Sequence, residues 1–186
     1  MTDALLVIEI PDLAGDGWHL RPWRVDDAPS LVRAWHDPAI VDGSTPPDDR
    51  SEAAARRWIE GCEERRLAAV AFDLVIAADD DTVLGEFGLS RLDRSRRAAV
   101  VGWWLHEEAR GRGIGSSALT SITTWLLAPS RLDAVVAEIS PDNRGSLLMA
   151  ERAGYRLARA GAGERGTDVW AAITDNRPTE PSPTAR

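Results

Sequence analysis

The chain contains no lysine; all 22 of its basic residues are arginine. That removes a P-loop lysine, a Schiff-base lysine and a lysine general base together. A single cysteine, Cys62, excludes an internal disulfide and fits a reducing compartment, where a buried inert thiol is the expectation. His19, His36 and His106 are scattered without ligand spacing, so no metal site is expected. There is no long apolar run either. The first apolar stretch is interrupted by Glu9 and preceded by Asp3 with no basic leader, which supports neither a signal peptide nor a membrane span. The expected location is cytoplasmic.

With 186 residues, the chain is long enough to bury one hydrophobic core, and one domain over residues 1–174 is the expectation. The remainder, 175–186, is read as a disordered tail because proline, threonine and serine recur there. The formal net charge of −8 opposes both nucleic acid and anionic membrane as partners. Any anionic ligand must therefore be gripped locally.

Hydrophobic periodicity divides the chain into strands and helices. Leu5–Ile10 and Trp18–Trp23 read as short or edge strands, closed or interrupted by Pro11 and Pro22. Leu31, Val32 and Trp35 recur at helical spacing after Asp26-Asp27, and Asp37-Pro38 stops that helix. A loop over 39–50 precedes a second amphipathic helix from Ser51 to about Arg66. Strands at Val70–Ala77, Thr82–Leu92 and Ala98–Leu105, separated by polar turns, form an antiparallel meander. Helix Gly113–Leu127, strand Ala134–Ile139, helix Asn143–Ala153 and a hairpin of Tyr155–Ala160 with Asp168–Ile173 complete the reading.

The most informative segment is Arg110-Gly111-Arg112-Gly113-Ile114-Gly115-Ser116-Ser117, at the start of a helix. Without Cβ atoms, successive backbone N–H groups can converge on one point, and the unsatisfied amides of the helix N-terminus add partial positive charge. Arg110 and Arg112 add formal charge within an acidic chain. A diphosphate suits such a turn. The same residues, Gly113-Ile114-Gly115-Ser116-Ser117-Ala118, with Glu138 downstream, also fit a dinucleotide fingerprint. That second reading ranks lower, since several polar residues separate the turn from its strand and too little chain follows for a dinucleotide fold. Further on, Ser140-Pro141-Asp142-Asn143-Arg144-Gly145-Ser146 opens a helix that closes at Gly154-Tyr155, with Asn143 or Ser146 as its cap.

The turn Arg110-x-x-Gly113-x-Gly115 after the strand Gly102-Trp103-Trp104-Leu105, followed by Asn143-x-x-Ser146 and Gly154-Tyr155, resembles the GCN5-related N-acetyltransferase (GNAT) family. Leu20-Arg21-Pro22-Trp23, Asp26-Asp27 and Asp37-Pro38 are similar to the opening of its RimJ/RimL-like branch, which acetylates ribosomal-protein N-termini. The resemblance implies a mixed α/β fold: a twisted, mostly antiparallel sheet of six to seven strands with a splayed parallel pair, flanked by about four helices. It implies that acetyl-CoA lies in the splay, its pantetheine arm bonding the backbone of Trp103, Trp104 and Leu105 as an added strand would. The pyrophosphate would rest on Gly111, Arg112, Gly113, Ile114, Gly115 and Ser116, flanked by Arg110, and Asn143 would touch the arm from the opposite wall.

The implied reaction is direct transfer of an acetyl group to a primary amine, on a peptide N-terminus or a small molecule, without metal or covalent intermediate. It needs a polarised carbonyl, a neutral amine and a proton for the leaving thiolate. The Leu105 N–H is the expected carbonyl donor. Many relatives carry a tyrosine acid where this chain has Ala150, which leaves Ser146 or a water; Tyr155 lies too far along. Glu86 is the candidate base, although a charged residue alternating with apolar ones reads more readily as the solvated face of its strand, and His106 is a candidate proton relay that reads more readily as a solvated turn residue. Relatives in the ribosomal branch often carry a Glu where Val100 stands here. Trp35, His36 and Asp42 to Thr45 are the candidate acceptor liners, although Trp35 is more readily read as a core anchor of its helix. A non-catalytic acyl-CoA binding or sensor module is the alternative from another class.

Overall fold

The computed structural model describes residues 9–129 and 131–174. The predicted strand Leu5–Ile10 lies outside them except for Glu9 and Ile10, which are not in a strand, and the predicted disordered tail over 175–186 lies wholly outside them.

Eight strands form one sheet: β1 (Ala14–Gly15), β2 (Trp18–Pro22), β3 (Ala71–Ala77), β4 (Val83–Asp93), β5 (Ala98–Leu105), β6 (Ala134–Ile139), β7 (Arg156–Arg159) and β8 (Asp168–Ile173), in the order β1-β2-β3-β4-β5-β6-β8-β7. All neighbours are antiparallel except β5 and β6. Among the described residues, six α-helices cover it: α1 (Ala28–His36), α2 (Pro38–Val41), α3 (Glu52–Glu60), α4 (Cys62–Leu67), α5 (Ile114–Leu126) and α6 (Arg144–Arg152).

Strand alternation builds two cores. Phe72, Leu74 and Ile76 of β3 and Phe87 and Leu89 of β4 point to the face covered by α5, whose Ile114, Ala118, Leu119, Ile122 and Leu126 form one buried stripe. Val75 and Ala77 point the other way, onto Leu31 and Trp35 of α1 and Ala55 and Ile59 of α3. The parallel pair has a consequence for function. β5 pairs with β6 only from Ala98 to Val101, whereas β4 stays paired with β5 through Leu105 and β8 stays paired with β6 through Ile139. The ends of β5 and β6 therefore part. At the far end of this ladder a side chain at Gly85 would fall on the Trp104 carbonyl oxygen, so glycine permits the close approach of β4 to β5.

The resemblance-based fold is present, with differences of detail. The sheet has eight strands rather than six or seven, because Ala14–Gly15 makes a two-residue pairing too short to show periodicity. The helix expected over Ser51–Arg66 is divided at Gly61, and Pro38 both ends α1 and starts the four-residue α2. A dinucleotide fold is not formed: the sheet is antiparallel apart from one pair, and Glu138 is occupied by Arg91 and the Glu164 amide. Among the described residues no helix is long and apolar enough to cross a membrane.

Candidate functional site

Where β5 and β6 part, a cleft of about 1040 Å³ opens. Gly102 to Leu105 form one wall, and Ala137 to Ile139 with the start of α6 form the other. Arg110, Gly111, Gly113, Gly115 and Ser116 line one end, and the Ala39–Thr45 segment and Glu164 to Thr167 close over the rest.

The glycine-rich turn leaves its backbone donors unused. Gly111 and Gly113 hold φ of 72° and 82°, the left-handed region where a Cβ is strained, and Gly113 is the residue on which α5 starts. The N–H groups of Gly111 through Ser116 have no acceptor among the described residues; the first amide of the helix to be used is Ser117, bonded to the Gly113 carbonyl at 3.0 Å. Six successive free donors at a helix N-terminus are chemically able to hold an anion. Two side chains of the motif do other work. Ile114 is buried in the core, so only its backbone is available, and Arg110 places Nη2 2.6 Å from Asp37 Oδ2 and Nε 3.0 Å from the Leu105 carbonyl. Arg112 is exposed.

Just past β5 the His106 N–H donates to the Leu84 carbonyl at 2.9 Å. Because an antiparallel ladder alternates, the N–H groups of Trp103 and Leu105 then face away from β4, into the splay, while Trp104 pairs with Glu86. Facing them, Asn143 caps α6 by accepting from the Ser146 N–H at 3.0 Å, which leaves its amide NH₂ free among the described residues. Ser146 is half-buried on the cleft wall. Ala150 is fully buried, and Tyr155 hydrogen-bonds Thr123 at 3.1 Å in the core, where burial pushes its phenol above the ordinary range. Neither residue reaches the cleft.

Glu86 is not a solvated strand residue. Its two oxygens accept from the indoles of Trp23 at 3.0 Å and Trp104 at 3.3 Å, and burial, with Asp73 nearby, pushes its carboxyl up to about 8. Arg65 lies 3.5 Å from Asp73 and 3.1 Å from the Cys62 sulfur, and burial pushes that thiol up to about 12, so it is inert. His106 is buried rather than in a solvated turn. It meets Ser30 Oγ at 3.0 Å and the edge of Trp104, and burial pulls it down to about 4, which keeps it neutral. Trp35 packs in the second core, and the His36 ring donates to the Val32 carbonyl at 2.8 Å on an exposed surface; neither lines the cleft, although Asp42 to Thr45 do.

The partners that sequence reading missed are Asp37, Asp73 and the indoles of Trp23 and Trp104. Only Asp37 carried a local signal, as the residue before Pro38 that caps α2 by accepting from the Ala39 N–H. Trp23 and Trp104 meet Glu86, and Asp73 meets Arg65, only where the folded sheet and α4 bring them together.

The sheet is thus antiparallel but for one splayed parallel pair, with a run of amides free among the described residues at the mouth of the split. The acetyltransferase (GNAT) domain family matches residues 18–156, and the chain belongs to that family. The ribosomal-protein-serine acetyltransferase of Escherichia coli (strain K12) is 27% identical over 108 residues, which are 58% of this chain and 60% of that protein. The matched stretches span from 42% to 60% of the length of the curated relatives. Among solved structures, the microcin C7 self-immunity acetyltransferase MccE in complex with acetyl-CoA and AMP superposes with a TM-score of 0.75 at 18% identity, covering 86% of this chain and 93% of that one. RimL, a ribosomal L7/L12 alpha-N-protein acetyltransferase with coenzyme A, gives 0.73 at 21% identity and covers 88% and 97%. Mycobacterium smegmatis RimJ with CoA-disulfide gives 0.72 at 20%, covering 87% and 84%.

Proposed function

We propose that this protein is an acetyl-CoA-dependent N-acetyltransferase that transfers the acetyl group directly to a primary amine, on a peptide N-terminus or a small molecule. The run of six unpaired amides from Gly111 to Ser116 at the mouth of the β5–β6 splay carries this reading, because it supplies a diphosphate site beside an open strand edge. Relatives whose names and titles describe ribosomal-protein acetyltransferases favour a peptide amine.

In this scheme the pantetheine arm lies along Trp103 to Leu105, and Asn143 offers its free amide from the other wall. The Leu105 N–H binds the thioester oxygen and strengthens that bond as negative charge develops. The neutral amine nitrogen bonds to the carbonyl carbon, the carbon–sulfur bond breaks, and the amine's proton passes to water. The departing thiolate takes the Ser146 hydroxyl proton, which water replaces. Glu86 is held behind two indoles, so its part is to fix Trp104 on the cleft wall rather than to touch the amine.

The test is thiol release from acetyl-CoA with a panel of peptides, polyamines, amino acids and aminoglycosides. Acceptor-dependent release by wild type, with Ser146→Ala lowering turnover at least tenfold at unchanged coenzyme A affinity, is expected. Tight coenzyme A binding with no release from any acceptor would instead support a non-catalytic module, a reading favoured by Ala150 where relatives carry an acid.

A further inference from the structure

Arg110 opens the glycine motif, and its charge invites assignment to the pyrophosphate. Its surroundings point elsewhere. Nη2 lies 2.6 Å from Asp37 Oδ2, so the guanidinium charge is already neutralised by a carboxylate that would repel a phosphate placed beside it. Its Nε donates to the Leu105 carbonyl at 3.0 Å, on the residue whose N–H faces the splay. Asp37 in turn caps α2, the helix that leads into the Ala39–Thr45 wall of the cleft.

We infer that Arg110 is a positioning residue: it fixes the peptide that follows Leu105, and through Asp37 it locks that strand end to the acceptor wall, so that the thioester and the amine meet in one geometry. The inference rests on the proposed acetyl transfer but assigns Arg110 a role that the cradle reading does not. The peptide after Leu105 is held on one side by the His106 N–H on Leu84 and on the other by Arg110 Nε on the Leu105 carbonyl. With the second hold removed, the chain at Leu105 gains rotational freedom and its N–H loses a fixed aim. With that carbonyl occupied, an incoming arm meets only the N–H at this position. The pyrophosphate is left to the backbone amides, which need no side chain.

The experiment compares two donors, acetyl-CoA and S-acetylpantetheine, which lacks the phosphates, with Arg110→Ala, Arg110→Lys and Asp37→Asn. Coenzyme A binding is measured by calorimetry. Asp37→Asn keeps an α2 cap and removes only the charge pair, which guards against a misfolded Arg110→Ala. The expected result is a coenzyme A affinity within about twofold of wild type in all three variants. The expected turnover loss in Arg110→Ala is about tenfold or more and equal for both donors, with partial recovery in Arg110→Lys and a raised KM for the amine in Asp37→Asn. A tenfold loss of coenzyme A affinity in Arg110→Ala, with turnover of S-acetylpantetheine unchanged, overturns the inference and returns Arg110 to the phosphate. If wild type transfers from neither donor, the proposed activity falls. The calorimetric arm then still decides between the strand and the phosphate.

Discussion

At the scale of single residues, the site depends on atoms that are absent. Gly113 holds φ at 82° with open space where a Cβ would sit, so crowding is not the objection to a larger side chain; backbone strain is. Gly113→Val forces a β-branched residue into the left-handed region or moves the turn out of register. We expect coenzyme A affinity to fall at least tenfold by calorimetry while the far-ultraviolet spectrum stays that of wild type. Unchanged affinity would count against the cradle. Glu86 gives a second residue-scale prediction. Its carboxyl titrates at about 8 in the fold against an ordinary value of 4.5, so the protonated form is favoured by folding. Its contribution to stability is complete below about pH 4.5 and is lost as pH rises to about 8. In Glu86→Gln, thermal unfolding midpoints should fall less between pH 5 and 8 than in wild type. Equal slopes would mean that Glu86 titrates normally.

At the scale of elements, α6 and the β4–β5 ladder each set one wall of the cleft. Asn143 caps α6 and offers its amide to the cleft, so Asn143→Ala should cost about 1 kcal/mol of stability as a lowered unfolding midpoint. It should also weaken coenzyme A binding, whereas Asn143→Ser, which can still cap, should restore the midpoint without restoring affinity. Recovery of both together would reduce Asn143 to a cap. These elements were legible because their signals are local: turn residues, apolar periods, and glycines where the backbone must bend. Trp23 with Glu86, Arg110 with Asp37 and Glu138 with Arg91 were not legible, because each pair joins residues far apart in sequence that only the finished sheet brings together. The same limit explains Trp35 and His36. Helical spacing placed them on α1 beside the acceptor segment, but could not show that the indole turns inward and the imidazole back onto its own helix.

At the scale of the molecule, two cores on opposite faces hold a sheet that is continuous at one end of β5 and open at the other. The β4 ladder and β8 keep the two edges of the opening in place, which makes the cleft a feature of the fold rather than of any flexible loop. A net charge of −8 surrounds a site that would take a polyanion, so its attraction must come from short-range donors. Increasing salt should therefore change coenzyme A affinity only weakly, compared with the steep loss expected of a site built from free arginines.

In the proposed complex, main-chain donors grip the phosphates. Titrating coenzyme A into isotopically labelled protein while following the amide resonances of Gly111 to Ser116 tests it most directly. These six signals should move furthest and become the most protected from hydrogen exchange, with Trp103 and Leu105 following. Signals that stay in place at saturating coenzyme A, while others move, would contradict it.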